Sequence, residues 1–197
     1  TQQYREVYDI IHPQQPINAP RNIRLLPYHD RLRELGACFV EDSGWERPQY
    51  FKTNRRLLNE LSGPGGERTG WEAQHWSAII GAEHRAVRER VGLFDLTPFA
   101  KFRISGRKSL SFLEYICSNK IDRPVGTIIY TSMLTPKGGI KCDLTVTRIS
   151  QDEFMIVTGG GSSKHDKTWI SKHMPTDGSV QLHDETCLLY TSPSPRD

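Results

Sequence analysis

One carboxylate in this sequence sits where a strand ordinarily carries none. In Tyr130-Thr-Ser-Met-Leu-Thr-Pro-Lys-Gly-Gly-Ile-Lys-Cys-Asp143-Leu-Thr-Val, two apolar runs flank a Pro-Lys-Gly-Gly turn, which predicts a β-hairpin. Asp is a poor strand former, so Asp143 must face solvent, an ion pair or a polar hollow. Alternation places Ile140, Cys142, Leu144 and Val146 on one face and Lys141, Asp143, Thr145 and Thr147 on the other. A carboxylate on the polar face of such a hairpin is a candidate acid–base or amine-binding group. The competing reading is an edge-strand charge that blocks aggregation, and spacing alone favours the latter.

The remaining chemistry-bearing residues are less specific. Gly159-Gly-Gly161-Ser-Ser lies between a predicted strand and a predicted helix and can present backbone N–H groups to an anion. It has neither a dinucleotide fingerprint nor a phosphate-loop ending, so a plain turn is the better reading. Trp45 and Arg47 are candidates for ligand contact, though a buried aromatic anchor beside a charge is commoner. His75 and His84 read as solvated. Cys38, Cys117 and Cys142 show no metal-ligand spacing, and no metal site is expected. Their apolar surroundings predict reduced, buried thiols.

These residues need elements to position them. Pro13, Pro16 and Pro20 break regular structure after a helix end at Tyr4–Ile11. Leu26 to Gly36 predicts a short helix stopped by Gly36, and Ala37 to Glu41 a strand. Gly44-Trp-Glu-Arg-Pro is expected as a packed turn. The Ser62-Gly-Pro-Gly-Gly66 cluster predicts a linker. Trp71 to Val91 has helical periodicity, with Trp76, Ile79, Ile80, Ala86, Val87 and Val91 on the apolar side. Lys101–Ser105, Ile128–Leu134, Ile140–Ile149 and Glu153–Thr158 predict strands. Ser109–Asn119 and Ser163–Met174 predict helices, the second started by Ser163 with Asp166, and Val180 and Leu182 begin a last strand. Uneven alternation with a hairpin favours an α+β domain with antiparallel strands and packed helices.

Hydrophobic content of 36% and charged content of 25% are those of a globular protein, and no apolar run approaches a membrane span. A net charge of +3 with dispersed Lys and Arg gives no footprint for nucleic acid.

Val91-Gly-Leu-Phe-Asp-Leu-Thr-Pro-Phe-Ala-Lys-Phe-Arg-Ile-Ser-Gly106, the Asp143 hairpin, Asp152-Glu-Phe-Met-Ile-Val-Thr-Gly159 and His165-Asp-Lys-Thr-Trp-Ile170 occur in that order. Together they resemble the folate-binding domain of the glycine-cleavage T-protein, an aminomethyltransferase. The wording Thr-Pro-Phe-Ala-Lys-Phe and Asp-Leu-Thr-Val-Thr-Arg is similar to the C-terminal half of dimethylglycine and sarcosine dehydrogenases. Gly44-Trp-Glu-Arg-Pro-Gln-Tyr-Phe51 resembles the junction with their amine-oxidising part. The resemblance spans about Tyr4 to Glu185.

That resemblance implies an α+β, T-protein-like domain in its N-terminal portion. It implies tetrahydrofolate as the ligand of this domain and FAD in a part upstream. The substrate would be an N-methylated glycine-type amine, and the electron acceptor stays open. Asp143 is the implied catalytic residue. Tyr130, Met133, Leu134, Asp143 and Thr158 are the implied folate contacts. Two positions depart from T-proteins, Cys142 where a second Asp is common and Gly159 where an Asn is common. A stand-alone aminomethyltransferase and a non-catalytic folate-binding module are the alternatives. On this reading residues 1–53 close the amine-oxidising part, 54–70 link, and 71–186 open the folate-binding part. Residues 187–197 resemble a translated sequencing adapter and are expected to be disordered, and the chain is expected to be a fragment. The compartment is expected to be bacterial cytoplasm or mitochondrial matrix.

Overall fold

A computed structural model describes residues 8–61 and 68–186 of the chain. Two compact units divide it, one through Asp95 and one from Leu96 onward. Residues 4–7 of the helix end expected over Tyr4–Ile11 and the whole of 187–197 lie outside the described residues, and residues 8–11 are not helical.

In the first unit, α1 (His29–Glu34) ends where Gly36 adopts φ +82°, a left-handed conformation that glycine accepts without steric cost. Strands β1 (Ala37–Asp42) and β2 (Trp45–Phe51) then pair antiparallel. This corrects the expected packed turn at Gly44–Pro48. Only Ser43 and Gly44 turn, and the Trp45 segment is a strand. Pro48 is tolerated because the register shifts between Cys38 and Phe39, so the residue lacking an N–H faces the irregular point of the ladder. Beneath this hairpin Glu46, 1% exposed, accepts from Arg21 Nε at 2.8 Å and from the Asn22 amide at 2.8 Å.

A 3-10 turn (Lys52–Arg56) leads into α2 (Leu57–Glu60). The single helix expected over Trp71–Val91 is instead a short 3-10 turn at Trp71–Ala73 followed by α3 (Ala78–Glu89). Ser77 makes the break, because its hydroxyl accepts from the Ile79 amide as an N-cap. Val91, expected on the apolar face, lies beyond the helix end and is exposed. Leu57 and Leu61 bury against Ala82, and Glu83 accepts from the Phe51 amide and the Asn54 side chain. These contacts draw α3 into the first unit, which runs through Asp95.

The second unit is α+β and antiparallel. Its strands are β3 (Ala100–Ser105), β4 (Ile128–Leu134), β5 (Ile140–Ser150), β6 (Glu153–Thr158) and β7 (Gln181–Asp184). They lie in the order β4-β5-β6-β3-β7. Helices α4 (Ser109–Ile116) and α5 (Ser163–His173) contribute to one core. Phe102, Ile104, Leu113, Ile121, Met133, Val146, Phe154, Ile156 and Ile170 are all fully buried in it. Period-two alternation sends β5 Cys142, Leu144 and Val146 inward, leaving Asp143 on the opposite, exposed face. On that outer face Arg103 of β3 bridges Glu153 and Glu185, which lie to either side of it.

Candidate active site on the β4–β5 hairpin

The turn at Pro136–Gly139 closes as expected, with the Gly138 amide donating to Thr135 O at 2.8 Å. Register pairs Ser132 with Asp143 and Tyr130 with Thr145. Tyr130 and Asp143 are therefore diagonal neighbours on one face, within reach of a long aromatic side chain. The Tyr130 hydroxyl donates to Asp143 Oδ2 at 2.9 Å. Asp143 in turn holds the Tyr130 phenol above its usual pKa, first through that hydrogen bond and then through its charge. The pair stands open to solvent, Tyr130 being 65% exposed.

The other candidates divide. Leu134 is exposed on the strand that carries Tyr130. Met133 is fully buried in the core, because odd-numbered β4 residues face inward, so it does not share a face with Asp143. Thr158 is also buried, and its hydroxyl donates to Asp166 Oδ2 at 2.6 Å. The structure thus brings Tyr130, Asp143 and the edge of Leu134 to one side, and Met133 and Thr158 to the other. One open hollow of about 700 Å3 is lined by Arg107, Glu114, Lys120, Asp122 and Arg148 among others, and includes none of these residues. Arg148 is fully engaged there, donating to Asp122 and to the Arg123 and Gln151 carbonyls.

Behind the hairpin lies a group that the sequence reading assigned only to a helix start. Asp166 is fully buried, yet it accepts from Thr158, from Ser162 Oγ at 2.7 Å and is paired with His165 Nδ1 at 2.8 Å. Three polar partners meet the requirement that a buried carboxylate be hydrogen-bonded. The helix begins at Ser163 as expected, with Ser162 as its N-cap residue, and Asp166 accepts from the Ser162 hydroxyl, tying the helix to the glycine turn ahead of it. That turn is structural. A Cβ on Gly160 would lie 2.0 Å from the Pro98 carbonyl oxygen, so only glycine fits against the Leu96–Phe99 loop. Lys101 Nζ fixes the same loop by donating to the Thr97 and Phe99 carbonyls.

Burial raises both core thiols, Cys117 to about 12 and Cys142 to about 11, the latter also through the nearby Asp166 charge. Neither is a nucleophile at neutral pH. In the first unit Trp45 is a buried anchor, and Arg47 pairs with Asp42.

An antiparallel sheet with helices packed on it and a phenol-supported carboxylate on a hairpin define a domain of the T-protein fold class. Residues 28–190 match the family described as GCVT N-terminal domain, and the chain belongs to that family. It is 36% identical over 188 residues to the 4-methylaminobutanoate oxidase (formaldehyde-forming) of Paenarthrobacter nicotinovorans, covering 94% of this chain and 22% of that one. It is 37% identical over 133 residues to the mitochondrial dimethylglycine dehydrogenase of Rattus norvegicus, covering 66% and 14%. The mitochondrial pyruvate dehydrogenase phosphatase regulatory subunit of Mus musculus is 31% identical over 182 residues, covering 91% and 20%. The chain thus spans between about a seventh and about a fifth of the length of these relatives. Among solved structures, the glycine cleavage system aminomethyltransferase T from Bartonella henselae superposes with a TM-score of 0.61 at 20% identity, covering 83% of this chain and 38% of that one. That likeness establishes the shared fold. No described helix is long and apolar enough to cross a membrane.

Proposed function

We propose that this chain is part of an FAD-dependent dimethylglycine or sarcosine dehydrogenase, and that the Asp143 face binds tetrahydrofolate and captures an iminium one-carbon unit. The observation that carries the reading is the Tyr130–Asp143 hydrogen bond. It holds an unburied carboxylate in one orientation on a sheet whose other face is a packed core. In the full-length protein FAD would supply the two-electron oxidation that turns an N-methyl amine into an iminium. One folate nitrogen attacks the iminium carbon, the amine departs, and the second folate nitrogen closes the ring of 5,10-methylenetetrahydrofolate. Two N–H protons leave the folate. Asp143 accepts one, and the departing amine carries away the other. A fixed carboxylate also stabilises the positive charge at the reacting carbon and nitrogen. Tyr130 keeps Asp143 aimed, while Ile128 and Leu134, exposed on the same strand, offer apolar surface to a flat heterocycle. The compartment would be bacterial cytoplasm or mitochondrial matrix.

The test is Asp143→Ala in the full-length protein. Transfer of the one-carbon unit to tetrahydrofolate falls by about 100- to 10,000-fold, as for loss of a positioned general base. Flavin reduction by the amine, followed as bleaching in stopped flow, stays unchanged. Formaldehyde becomes the main one-carbon product, because an uncaptured iminium hydrolyses. Equal loss of both activities would mean that Asp143 supports the fold, and an unchanged methylenetetrahydrofolate yield would remove it from the mechanism.

A second reading rests on one observation, the match to a regulatory subunit over most of this chain. On that reading the domain binds a folate without reacting it. It predicts folate binding by calorimetry with no turnover of any N-methyl amine.

A further inference from the structure

We propose that Asp166 is a positioning residue for Asp143, acting from the core side of the sheet through the Thr158 hydroxyl; its consequence for catalysis rests on the reading that Asp143 serves one-carbon transfer. Thr158 is the last residue of β6 and pairs in register with Leu144, the residue after Asp143. Its hydroxyl oxygen lies 2.6 Å from Asp166 Oδ2 and 3.4 Å from the backbone carbonyl oxygen of Asp143. The single hydroxyl proton goes to the nearer, charged acceptor. Asp166 thereby locks the Thr158 rotamer, which fixes the hydroxyl oxygen beside the Asp143 backbone carbonyl.

The carboxylate can do this because it is held from several sides. It is fully buried at the first turn of α5, and its other contacts fix it from two more directions. Ser162 ties it to the glycine turn, and the Asp166 amide itself donates to Ser162 O at 2.9 Å. The turn is immobilised in turn by the Gly160–Pro98 approach. The chain of contact thus runs from a rigid loop, through one buried charge, to the strand position whose outward side chain is Asp143. Reacting groups need placement to within about an ångström, and a misplacement of that size costs about 100-fold in rate. A hydroxyl under the adjacent peptide is therefore in a position to matter without touching any ligand.

The test uses the full-length protein with three substitutions and two independent readouts. Thr158→Val removes the hydroxyl while keeping the shape, Thr158→Ser keeps the hydroxyl, and Asp166→Asn removes the charge. The first readout is the 13C carboxyl signal of Asp143, assigned by its loss in Asp143→Asn. The second is the rate of one-carbon transfer to tetrahydrofolate at saturating folate. The expected result is that Thr158→Val and Asp166→Asn shift the Asp143 signal and slow transfer about 10- to 100-fold. The KM for tetrahydrofolate changes less than about threefold, and Thr158→Ser returns the carboxyl signal to its wild-type position. An unmoved Asp143 signal in a folded Thr158→Val protein overturns the proposal. If Asp166→Asn does not fold, the Thr158 pair decides alone. A shifted signal in a protein whose wild-type form transfers nothing to folate would uphold the positioning and reject the one-carbon reading. The opposite pattern would do the reverse.

Discussion

At the residue scale, the Tyr130–Asp143 bond has a spectroscopic signature. Asp143 raises the phenol pKa, so Tyr130 should ionise later than an ordinary exposed tyrosine near pH 10. Absorbance titration of the phenols should show a late component, to which Tyr50 also contributes, and Tyr130→Phe should remove one phenol from that late component. Because the pair is solvent-exposed, the stability of the fold should barely change. If the phenol lost in Tyr130→Phe is instead one that titrates near the ordinary pH of about 10, the two side chains do not meet in solution. Asp143 itself was legible in the sequence because alternation is a strong local rule, and its outward orientation followed directly. Met133 illustrates the same rule ignored. Counting two residues from Thr131 would have placed it in the core. Asp166 was less legible, since its value depends on Thr158 and Ser162 arriving from a strand end and a turn, which no local spacing specifies.

At the element scale, the β1–β2 hairpin is held by a buried ion pair. Arg21 holds the Glu46 carboxyl below the usual range, first through its hydrogen bonds and then through its charge, against the opposing effect of burial. A carboxyl depressed in the folded state contributes stability that is complete above its unfolded pKa of about 4.3 and is lost as pH falls through the lower folded value. Amide exchange at Asn22, whose N–H donates to Glu46 Oε1, should therefore accelerate as pH is lowered below about 4, after correction for intrinsic exchange. Glu46→Gln should remove that acid dependence and cost about 3 kcal/mol at neutral pH by leaving Arg21 without its charge partner. A pH-independent protection factor in the wild-type protein would contradict this. The strand at Trp45 was misread as a turn because Gly44 and Pro48 bracket it. The bulge opposite Pro48 depends on β1, and that pairing is not written in either segment alone. The same limit applied to the helix after Trp71, where the Ser77 cap cut a periodic run in two.

At the scale of the whole molecule, the antiparallel α+β class was legible because four of the five strands in the second unit carry clear apolar patterns between turn signals. The order of those strands was not. The first strand of the second unit, β3, ends up between β6 and β7, and nothing in the Ala100–Ser105 sequence announces an interior place in the sheet.

That sheet order has a consequence in time. Strands β4, β5 and β6 form a meander of adjacent hairpins whose pairings close short loops, whereas β3 reaches β6 across some fifty residues and must wait for its partner. The meander bearing Tyr130 and Asp143 should thus assemble in the folding transition state, with β3 docking later. Val146→Ala in β5 should slow refolding, with a φ-value above about 0.5. Ile104→Val in β3 should mainly speed unfolding, with a φ-value below about 0.3. Reversed values would mean that the long-range pairing comes first. If the expected order holds, the reactive hairpin exists early as a free-standing meander, before the strand that makes its sheet continuous has arrived.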